Sequence, residues 1–265
     1  MTTKSDPDFS LTLSDWQPAT DLLADRVVLI TGAGEGIGRE LARQCAGHGA
    51  TVILLGKTVR ELESVYDEIV GAGAPEPVIH PMDLAGARPE DYITLAGALD
   101  EQFGRLDALV HNAAMLGALT PITHYPGERW YQVMQTNLHA PFLLTQACLG
   151  LLNAAGDARL LFVADEVGRR ARAYWGAYAA SKAGLEALMQ TLAAELETNT
   201  GIHVNSLDPG AVRTRLRTQA YPGEDPNPLP LPAEVIDAFL YLLGPDGRTH
   251  TGRQFTRTPE GRLIG

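Results

Sequence analysis

Short aliphatic runs alternate with longer segments of helical periodicity along most of the chain. The runs are rich in Leu or β-branched residues and do not alternate strictly with polar ones, as expected for strands buried on both faces of a parallel sheet. Segments 36–48, 59–70 and 174–198 repeat apolar residues at helical spacing. The predicted strands are 26–31, 51–56, 77–82, 107–111, 159–164 and 202–207, with a weaker seventh near 252–257.

This alternation predicts the fold class. Strand and helix patterns that follow each other so often are typical of an α/β protein with a single Rossmann-like, doubly wound parallel sheet of about seven strands and helices on both faces. A chain of 265 residues can bury such a core as one domain, which we expect over residues 21–265. No internal repeat or second domain is indicated.

Two segments depart from the pattern. Residues 1–20 are polar and contain Pro7 and Pro18, which favours a flexible or surface-draped tail. Residues 221–232 carry prolines at 222, 226, 228, 230 and 232, which exclude a regular helix or a central strand. This second segment is either an ordinary surface connection or, within 211–232, a lid over the substrate.

Charge and composition narrow the functional classes. The formal net charge of -11 argues against nucleic-acid binding, which needs a basic face. Cys45 and Cys148 both fall in helical patterns, and neither they nor the scattered histidines have metal-ligand spacing, so we expect reduced thiols and no metal site. The N-terminus lacks an apolar core of signal-peptide length, and no apolar run has membrane-spanning length, so we expect a cytoplasmic protein with no membrane association.

A glycine-rich turn follows the first predicted strand. Residues 31–38 read T-G-A-G-E-G-I-G, and a helical pattern begins within them. Glycines allow a tight turn and let backbone N–H groups and a helix N-terminus approach a pyrophosphate. Such a turn alone is a weak indication, but its place after the first strand favours a dinucleotide site. Its spacing is G-x-x-x-G-x-G, which differs from the standard G-x-G-x-x-G.

Tyr178 and Lys182 are four residues apart in a long helical pattern, so both side chains project from one face. A phenol with a pKa near ~10 is a poor acid–base group at pH 7. A nearby ammonium group favours the phenolate and lowers that pKa. The pair therefore indicates a reaction site, although an isolated Y-x-x-x-K also occurs on ordinary amphipathic helices.

Six motifs in order resemble the short-chain dehydrogenase/reductase family, and the resemblance covers about residues 26–255. They are T-G-x-x-x-G-I-G at 31–38, Asp83-Leu84 after the third strand, Asn112-Ala113-Ala114 after the fourth, Asn137, Y-x-x-x-K at 178–182, and P-G-x-V-x-T at 209–214. Within the family the chain resembles bacterial reductases of the oxoacyl-(acyl carrier protein) type. Residues 21–56 resemble an enterobacterial branch.

The resemblance implies a role for each matching residue. The lysine would bind the nicotinamide ribose, the tyrosine would exchange a proton with the substrate oxygen, and Asn137 would hold a water joined to the lysine. Hydride transfer itself belongs to the cofactor. The residues implied at the cofactor, besides Tyr178 and Lys182, are the turn residues Gly32, Gly34, Glu35, Gly36, Ile37 and Gly38 at the pyrophosphate, Asp83 and Leu84 at the adenine, Asn112, Ala113 and Ala114 near its ribose, and Pro209, Gly210, Val212 and Thr214 at the nicotinamide.

The end of the second strand bears on the choice between NADP and NAD. NAD enzymes usually place an acid there for the ribose hydroxyls, whereas this chain has Lys57 and Thr58, which would bind a 2′-phosphate. Glu35 argues against NADP, because many NADP-preferring relatives carry a basic residue at its position. Lys57 or Arg39 would have to offset its charge. The sequence predicts NADP in preference to NAD.

One position departs from the family. Its members place a catalytic serine thirteen residues before the tyrosine, where this chain has Asp165. That serine donates a hydrogen bond to the substrate carbonyl, which an ionised carboxylate cannot do. Asp165 is either protonated and donates like the serine, or ionised and orients a hydroxyl or cationic group of the substrate, or it makes the site catalytically weak. Ser181 is not an obvious replacement.

The sequence thus predicts an oxidoreductase that interconverts a carbonyl and an alcohol, with Tyr178, Lys182, Asn137 and Asp165 at its centre. The alternative is a cofactor-binding sensor or scaffold with little turnover, for which Asp165 is the sole argument. A small-molecule substrate is the expected partner. Apolar residues over 142–152 and 185–196 also predict a homodimer or homotetramer.

Overall fold

The computed structural model describes residues 9–265, and within them nine strands form one sheet. The strands are β1 Ser10–Thr12, β2 Val27–Thr31, β3 Thr51–Gly56, β4 Val78–Pro81, β5 Ala108–His111, β6 Ala158–Val163, β7 Ile202–Asp208, β8 Gln254–Arg257 and β9 Arg262–Ile264. Their order across the sheet is β1-β9-β8-β7-β6-β5-β2-β3-β4. Strands β2 to β8 pair in parallel. The predicted doubly wound sheet and its seven parallel strands are therefore confirmed.

The count of about seven strands needs a correction at one edge, where β9 and β1 extend the sheet by antiparallel pairing. Each has three residues, and in β9 only Leu263 is buried. So short a strand with one inward residue leaves no periodicity to detect. Part of the predicted N-terminal tail is therefore ordered on the sheet edge, while residues 1–8 lie outside the described residues.

Helices cover both faces of the sheet. They are α1 Gly36–Gly47, α2 Val59–Gly71, α3 Pro89–Phe103, α4 Gly127–Met134, α5 Ala140–Ala154, α6 Glu166–Arg169, α7 Gly176–Leu196, α8 Arg215–Ala220 and α9 Ile236–Leu243. A π-helical turn, Gln135–His139, joins α4 to α5. Short 3₁₀ turns are Leu13–Asp15, Ile122–His124, Pro232–Val235 and Pro245–Thr249. The predicted helical segments agree with α1, α2 and α7 to within two residues.

Two apolar cores lie on opposite faces of the sheet. Val28 and Ile30 of β2 pack with α1, α2 and α9, whereas Leu29 of the same strand packs with α3, α5 and α7. A strand buried on both faces must be apolar at consecutive positions, which explains the unbroken aliphatic runs. Cys45 and Cys148 belong to opposite cores and are both free. Burial raises the pKa of each thiol to about 12.

The strand order creates a crevice. From β2 the chain builds outward through β3 to β4 and then returns to add β5 on the other side of β2. Helices that leave neighbouring strands on opposite sides diverge at such a reversal, so a crevice opens at the carboxyl ends of β2 and β5. Among residues 9–265, no helix is both long and apolar enough to cross a bilayer, and no group of acidic, histidine or cysteine side chains is arranged to hold a metal ion.

Candidate active site

A cleft of about 900 Å³ opens at the carboxyl ends of the parallel strands. It brings together residues from five of the six predicted motifs. Those of the predicted site that line it are Gly32, Gly34, Glu35, Gly36, Ile37, Lys57, Asp83, Leu84, Asn112, Ala113, Ala114, Asp165, Tyr178, Lys182, Pro209, Gly210, Val212 and Thr214. Gly38 and Asn137 are the two predicted residues that do not line it.

Thr31 joins the glycine-rich turn to β5. Its hydroxyl donates to the Val110 carbonyl at 3.3 Å and accepts from the backbone N–H groups of Asn112 and Ala113, each at 3.0 Å. The Asn112 amide donates to the Thr31 and Gly32 carbonyls at 2.9 and 3.3 Å. Asn112 therefore fixes the turn that faces the cleft.

The glycine-rich turn combines two left-handed glycines with a helix N-terminus. Gly32 and Gly36 have φ of +67° and +56°, a region that L side chains rarely adopt. Glu35 is the N-cap of α1 but makes no side-chain capping bond, so the positive end of the helix faces the cleft uncapped. Backbone N–H groups and a helix N-terminus next to close-packed glycines fit an anionic dinucleotide.

Gly38 packs closely against the turn. A Cβ on Gly38 would lie 2.1 Å from the Gly32 carbonyl oxygen and 2.5 Å from the Asn112 side-chain nitrogen. The residue is buried behind the turn and does not border the cleft. It allows α1 to pack against the turn and thereby supports the pyrophosphate site from behind.

Replacing Gly38 by alanine is therefore expected to destabilise the protein by about 3 kcal/mol. The control is Gly47→Ala in the same helix, where a Cβ meets nothing within 4 Å and higher helix propensity is expected to stabilise the protein by a few tenths of a kcal/mol. Urea unfolding followed by circular dichroism measures both changes. Equal stability of the two variants would contradict the packing role.

The charges near the second strand differ in part from those expected. Lys57 lies exposed at the cleft, as predicted. Arg39 does not offset Glu35, because its guanidinium pairs with Glu68 on α2. Arg215 approaches Glu35 instead, with 3.7 Å between the guanidinium and the carboxylate. The proximity of Arg215, on α8, to Glu35 is evident only from the fold, because the two residues are far apart in sequence.

Tyr178 and Lys182 project from one face of α7 into the cleft, as their spacing predicts. The Tyr178 hydroxyl donates to an Asp165 carboxylate oxygen at 3.1 Å. The other Asp165 oxygen accepts the Val167 N–H at 3.0 Å and caps α6. The Lys182 ammonium donates to the Val163 carbonyl at 2.6 Å and lies 5.7 Å from the centre of the Tyr178 ring. Asp165 is therefore oriented by both of its oxygens.

Asp208 is a member of the site that the sequence did not single out. It ends β7, is buried, and accepts the Gly210 N–H at 2.9 Å. Burial raises the pKa of its carboxyl, the Gly210 N–H opposes that rise, and the charge of Asp165 adds to it. The only hint in the sequence is its place directly before the P-G motif.

Burial and two carboxylates set the proton affinities of the pair. The pKa of Tyr178 is raised well above its usual value, first by burial, then by the charge and hydrogen bond of Asp165, and then by the charge of Asp208. Burial lowers the pKa of Lys182, while the negative charges of Asp165, Asp208 and Glu186 oppose that change. In this structure Tyr178 is therefore a neutral phenol.

Asn137 is fully buried in the π-helical turn. Its side-chain oxygen accepts the Met115 N–H at 2.7 Å, and its nitrogen donates to the Met115 carbonyl at 2.9 Å and to the Ser181 hydroxyl at 3.0 Å. The Asn137 side chain thus fixes the Met115 segment, which lines the cleft. Ser181 in turn donates to the Tyr178 carbonyl at 2.8 Å and takes no part in the cleft.

Aromatic side chains form the outer wall. Trp175 contacts Tyr178 and Tyr221, with ring centres 5.7 Å apart in each pair. These rings belong to a third apolar cluster, whose other buried members are Leu116, Val167, Ala179 and Ala220. Within the predicted lid, residues 211–212, 214–217 and 219–221 line the cleft, whereas the prolines that follow do not.

Comparisons with known proteins agree with this geometry. The profile of the short chain dehydrogenase family matches residues 26–225. The chain belongs to the short-chain dehydrogenase family. Among curated members of that family it is 42% identical to the uncharacterized oxidoreductase YciK of Escherichia coli K12, over 94% of this chain and 98% of that protein.

Solved structures of short-chain dehydrogenases have the same fold. One from Pseudomonas syringae is 46% identical, with a TM-score of 0.89 over 91% of this chain and 98% of its own. One from Shigella flexneri 2a strain 301, solved in complex with NADP, is 42% identical, with a TM-score of 0.87 over 90% of this chain and 99% of its own. The family predicted from the motifs is confirmed, and this short-chain dehydrogenase is an oxidoreductase. The finer resemblance to oxoacyl-(acyl carrier protein) reductases stays a prediction.

Proposed function

We propose that this short-chain dehydrogenase uses NADP(H) to interconvert a carbonyl and an alcohol, with Tyr178 as the acid–base group. The observation that carries the proposal is the position of Tyr178 and Lys182 in the same cleft as the glycine-rich turn. A proton-transfer group beside a dinucleotide site is the arrangement that reversible hydride chemistry requires.

NADP is the proposed cofactor. Lys57 and Thr58 follow β3 at the cleft where an acid would repel a 2′-phosphate, and the Shigella flexneri relative was solved with NADP. Arg215 lies close to Glu35 and reduces the repulsion between the Glu35 carboxylate and a bound phosphate. When bound, the nicotinamide supplies or accepts the hydride.

The side chains of this chain perform the remaining tasks. Lys182 places a positive charge 5.7 Å from the centre of the Tyr178 ring, and a nearby cation favours the phenolate. Tyr178 gives its proton to the substrate oxygen in reduction and takes it back in oxidation. Asn137 holds Met115 against the cleft, and the wall of Trp175 and Tyr221 excludes water.

NADPH oxidation measured with a panel of ketones and aldehydes tests the proposal. We expect saturable turnover that depends on the carbonyl substrate. The absence of turnover with every member of the panel, despite tight NADPH binding, would contradict it.

Lys57→Ala is expected to weaken NADPH binding about tenfold or more and to leave NADH binding nearly unchanged, because only NADPH carries the phosphate that a charged hydrogen bond would stabilise. Arg60→Ala, an exposed neighbour outside this cleft, is the control. Fluorescence titration of both cofactors measures the effect. Parallel losses for NADPH and NADH would assign Lys57 a different role.

The second candidate is a cofactor-binding sensor or scaffold with little turnover. It is favoured by the Tyr178 hydroxyl, which donates to Asp165 rather than facing a substrate. A native chain that is inactive with all substrates, together with an Asp165→Ser variant that gains large activity, would support it.

We also propose a homodimer or homotetramer in the cytoplasm. Phe142 on α5 is a large apolar side chain that is 45% exposed, as expected of an interface. Light scattering of the purified protein checks the oligomeric state, and a monomer would contradict it.

A further inference from the structure

Asp165 competes with the substrate for the Tyr178 proton. The Tyr178 hydroxyl donates its proton to Asp165 at 3.1 Å. A substrate carbonyl oxygen that approaches this hydroxyl therefore has to compete with the Asp165 carboxylate for the same proton. Carbonyl and carboxylate oxygens both lack a proton to share. A substrate that offers only a carbonyl oxygen is therefore poorly matched to this site.

The buried end of the cleft holds more carboxyl groups than cations. The charges of Asp165 and Asp208 both act on the Lys182 ammonium group. Glu186, one turn further along α7, is already paired with Arg169, with 2.8 Å between the guanidinium and the carboxylate. When both aspartates are ionised, two carboxylates share one ammonium group, and the excess negative charge has a strong effect where water is scarce.

The charge of Asp165 acts on Arg217, but the hydrogen bonds of the nearby arginines go to other groups. Arg217 is held by both Glu224 oxygens at 2.6 Å and stacks on the Tyr221 ring at 3.9 Å. Arg172 pairs with Glu166 at the surface. Trp175 lines the same cleft as Asp165, and aromatic rings attract cations.

We propose that the substrate carries a protonated amine on the carbon next to its reacting carbonyl or alcohol carbon, and that Asp165 binds this ammonium group. The inference deepens the proposed function and rests on it. An ammonium and an oxygen on adjacent carbons lie about 3 Å apart when staggered, which matches the 3.1 Å between the Asp165 carboxylate and the Tyr178 hydroxyl.

The ammonium group would also release Tyr178 for catalysis. Once Asp165 accepts from the ammonium, the Tyr178 proton is free to face the substrate oxygen. In reduction the carbonyl carbon gains the hydride and its oxygen gains the Tyr178 proton, which solvent replaces. The balanced reaction is R–CO–CH2–NH3⁺ + NADPH + H⁺ → R–CHOH–CH2–NH3⁺ + NADP⁺.

Two ligand pairs test the inference by binding to the NADPH complex, in which an alcohol cannot react. The pairs are 2-amino-1-phenylethanol with 1-phenylpropan-1-ol, and 1-aminopropan-2-ol with butan-2-ol. Each pair exchanges an ammonium group for a methyl group of similar size. Calorimetry at pH 7 measures the dissociation constants, and this readout does not depend on turnover.

In the native complex we expect the ammonium member of at least one pair to bind about tenfold tighter, as a charge-assisted bond predicts. Asp165→Ser should abolish this preference, and serine keeps an N-cap for α6, so the fold is retained. Asp100→Asn, which removes one charge from the exposed side of α3, should leave it unchanged.

Either of two outcomes would overturn the inference and leave the proposed function standing. The first is that the methyl members bind as tightly as their ammonium partners in both pairs. The second is that the preference for the ammonium member survives in Asp165→Ser. Failure of the native chain to bind NADPH would instead contradict the proposed function, and the inference would fall with it.

Discussion

Replacing Tyr178 by phenylalanine is expected to lower kcat/KM for ketone reduction about 10³-fold, in the range typical of a lost general acid. The phenol is the group in the cleft from which a proton can pass to the substrate oxygen, because Lys182 donates to the Val163 carbonyl and Asp165 is itself an acceptor. NADPH affinity should change little, since the ring and Lys182 remain. Stopped-flow NADPH oxidation and fluorescence titration separate the two effects.

Tyr131→Phe is the matched control for this prediction. Tyr131 is 74% exposed on α4 and does not line the cleft, so loss of its hydroxyl should leave kinetics and binding unchanged. If the Tyr178→Phe enzyme turned over as fast as the native one, Tyr178 would not be the acid. If its NADPH affinity fell in proportion to its rate, the hydroxyl would act in cofactor binding.

The parallel part of the fold was predictable because its strands are buried on both faces. In β2, consecutive residues pack into opposite cores. Because every position is buried, the strand is visible in the sequence as an unbroken aliphatic run. β1 and β9 were not predictable. They are three residues long, and they form because β9 pairs with the open edge of β8 and β1 then pairs with β9, which is a property of the assembled sheet.

The site shows the same division between local and long-range information. Tyr178 and Lys182 follow from spacing within one helix. Asp208 reaches the site because β7 is part of the same sheet as β6, whose carboxyl end carries Asp165. Nothing local in the sequence marks it as buried. The place of Arg215 beside Glu35 was not predictable for the same reason, since the two residues lie far apart in the chain.

The two predicted residues outside the cleft support segments that line it. Gly38 packs α1 against the turn, and Asn137 clamps Met115. The motifs identified both positions, whereas these packing contacts became evident only from the fold.

Asp165→Ser is expected to raise kcat/KM about 10²-fold at pH 7 for carbonyl substrates that lack an amine, because a hydroxyl that donates to the developing oxyanion replaces a carboxylate that opposes it. The pH dependence of alcohol oxidation provides an independent test. In that direction the Tyr178 phenolate is the base, so the rate rises with pH until the phenol is ionised.

Asp165 raises the pKa of Tyr178 by its charge and by accepting the phenol proton, in addition to the larger effect of burial and a smaller one of Asp208. Removing Asp165 therefore lowers that pKa, and the alkaline limb of the oxidation rate should move to lower pH in Asp165→Ser. In the native enzyme the rate should still be rising at the alkaline end of the measurable range.

Asp100→Ser, the same change on the exposed side of α3, should leave the profile of oxidation against pH unmoved. A profile that stays in place in Asp165→Ser would mean that Asp165 does not affect the ionisation of Tyr178. A profile that moves without a gain in rate would mean that serine at this position does not reach the substrate oxygen. Asp165 would be assigned a role in substrate selection only if the pH profile moves and kcat/KM rises in the same variant. That role is to disfavour simple carbonyl substrates by holding the Tyr178 proton, which a cationic substrate would release.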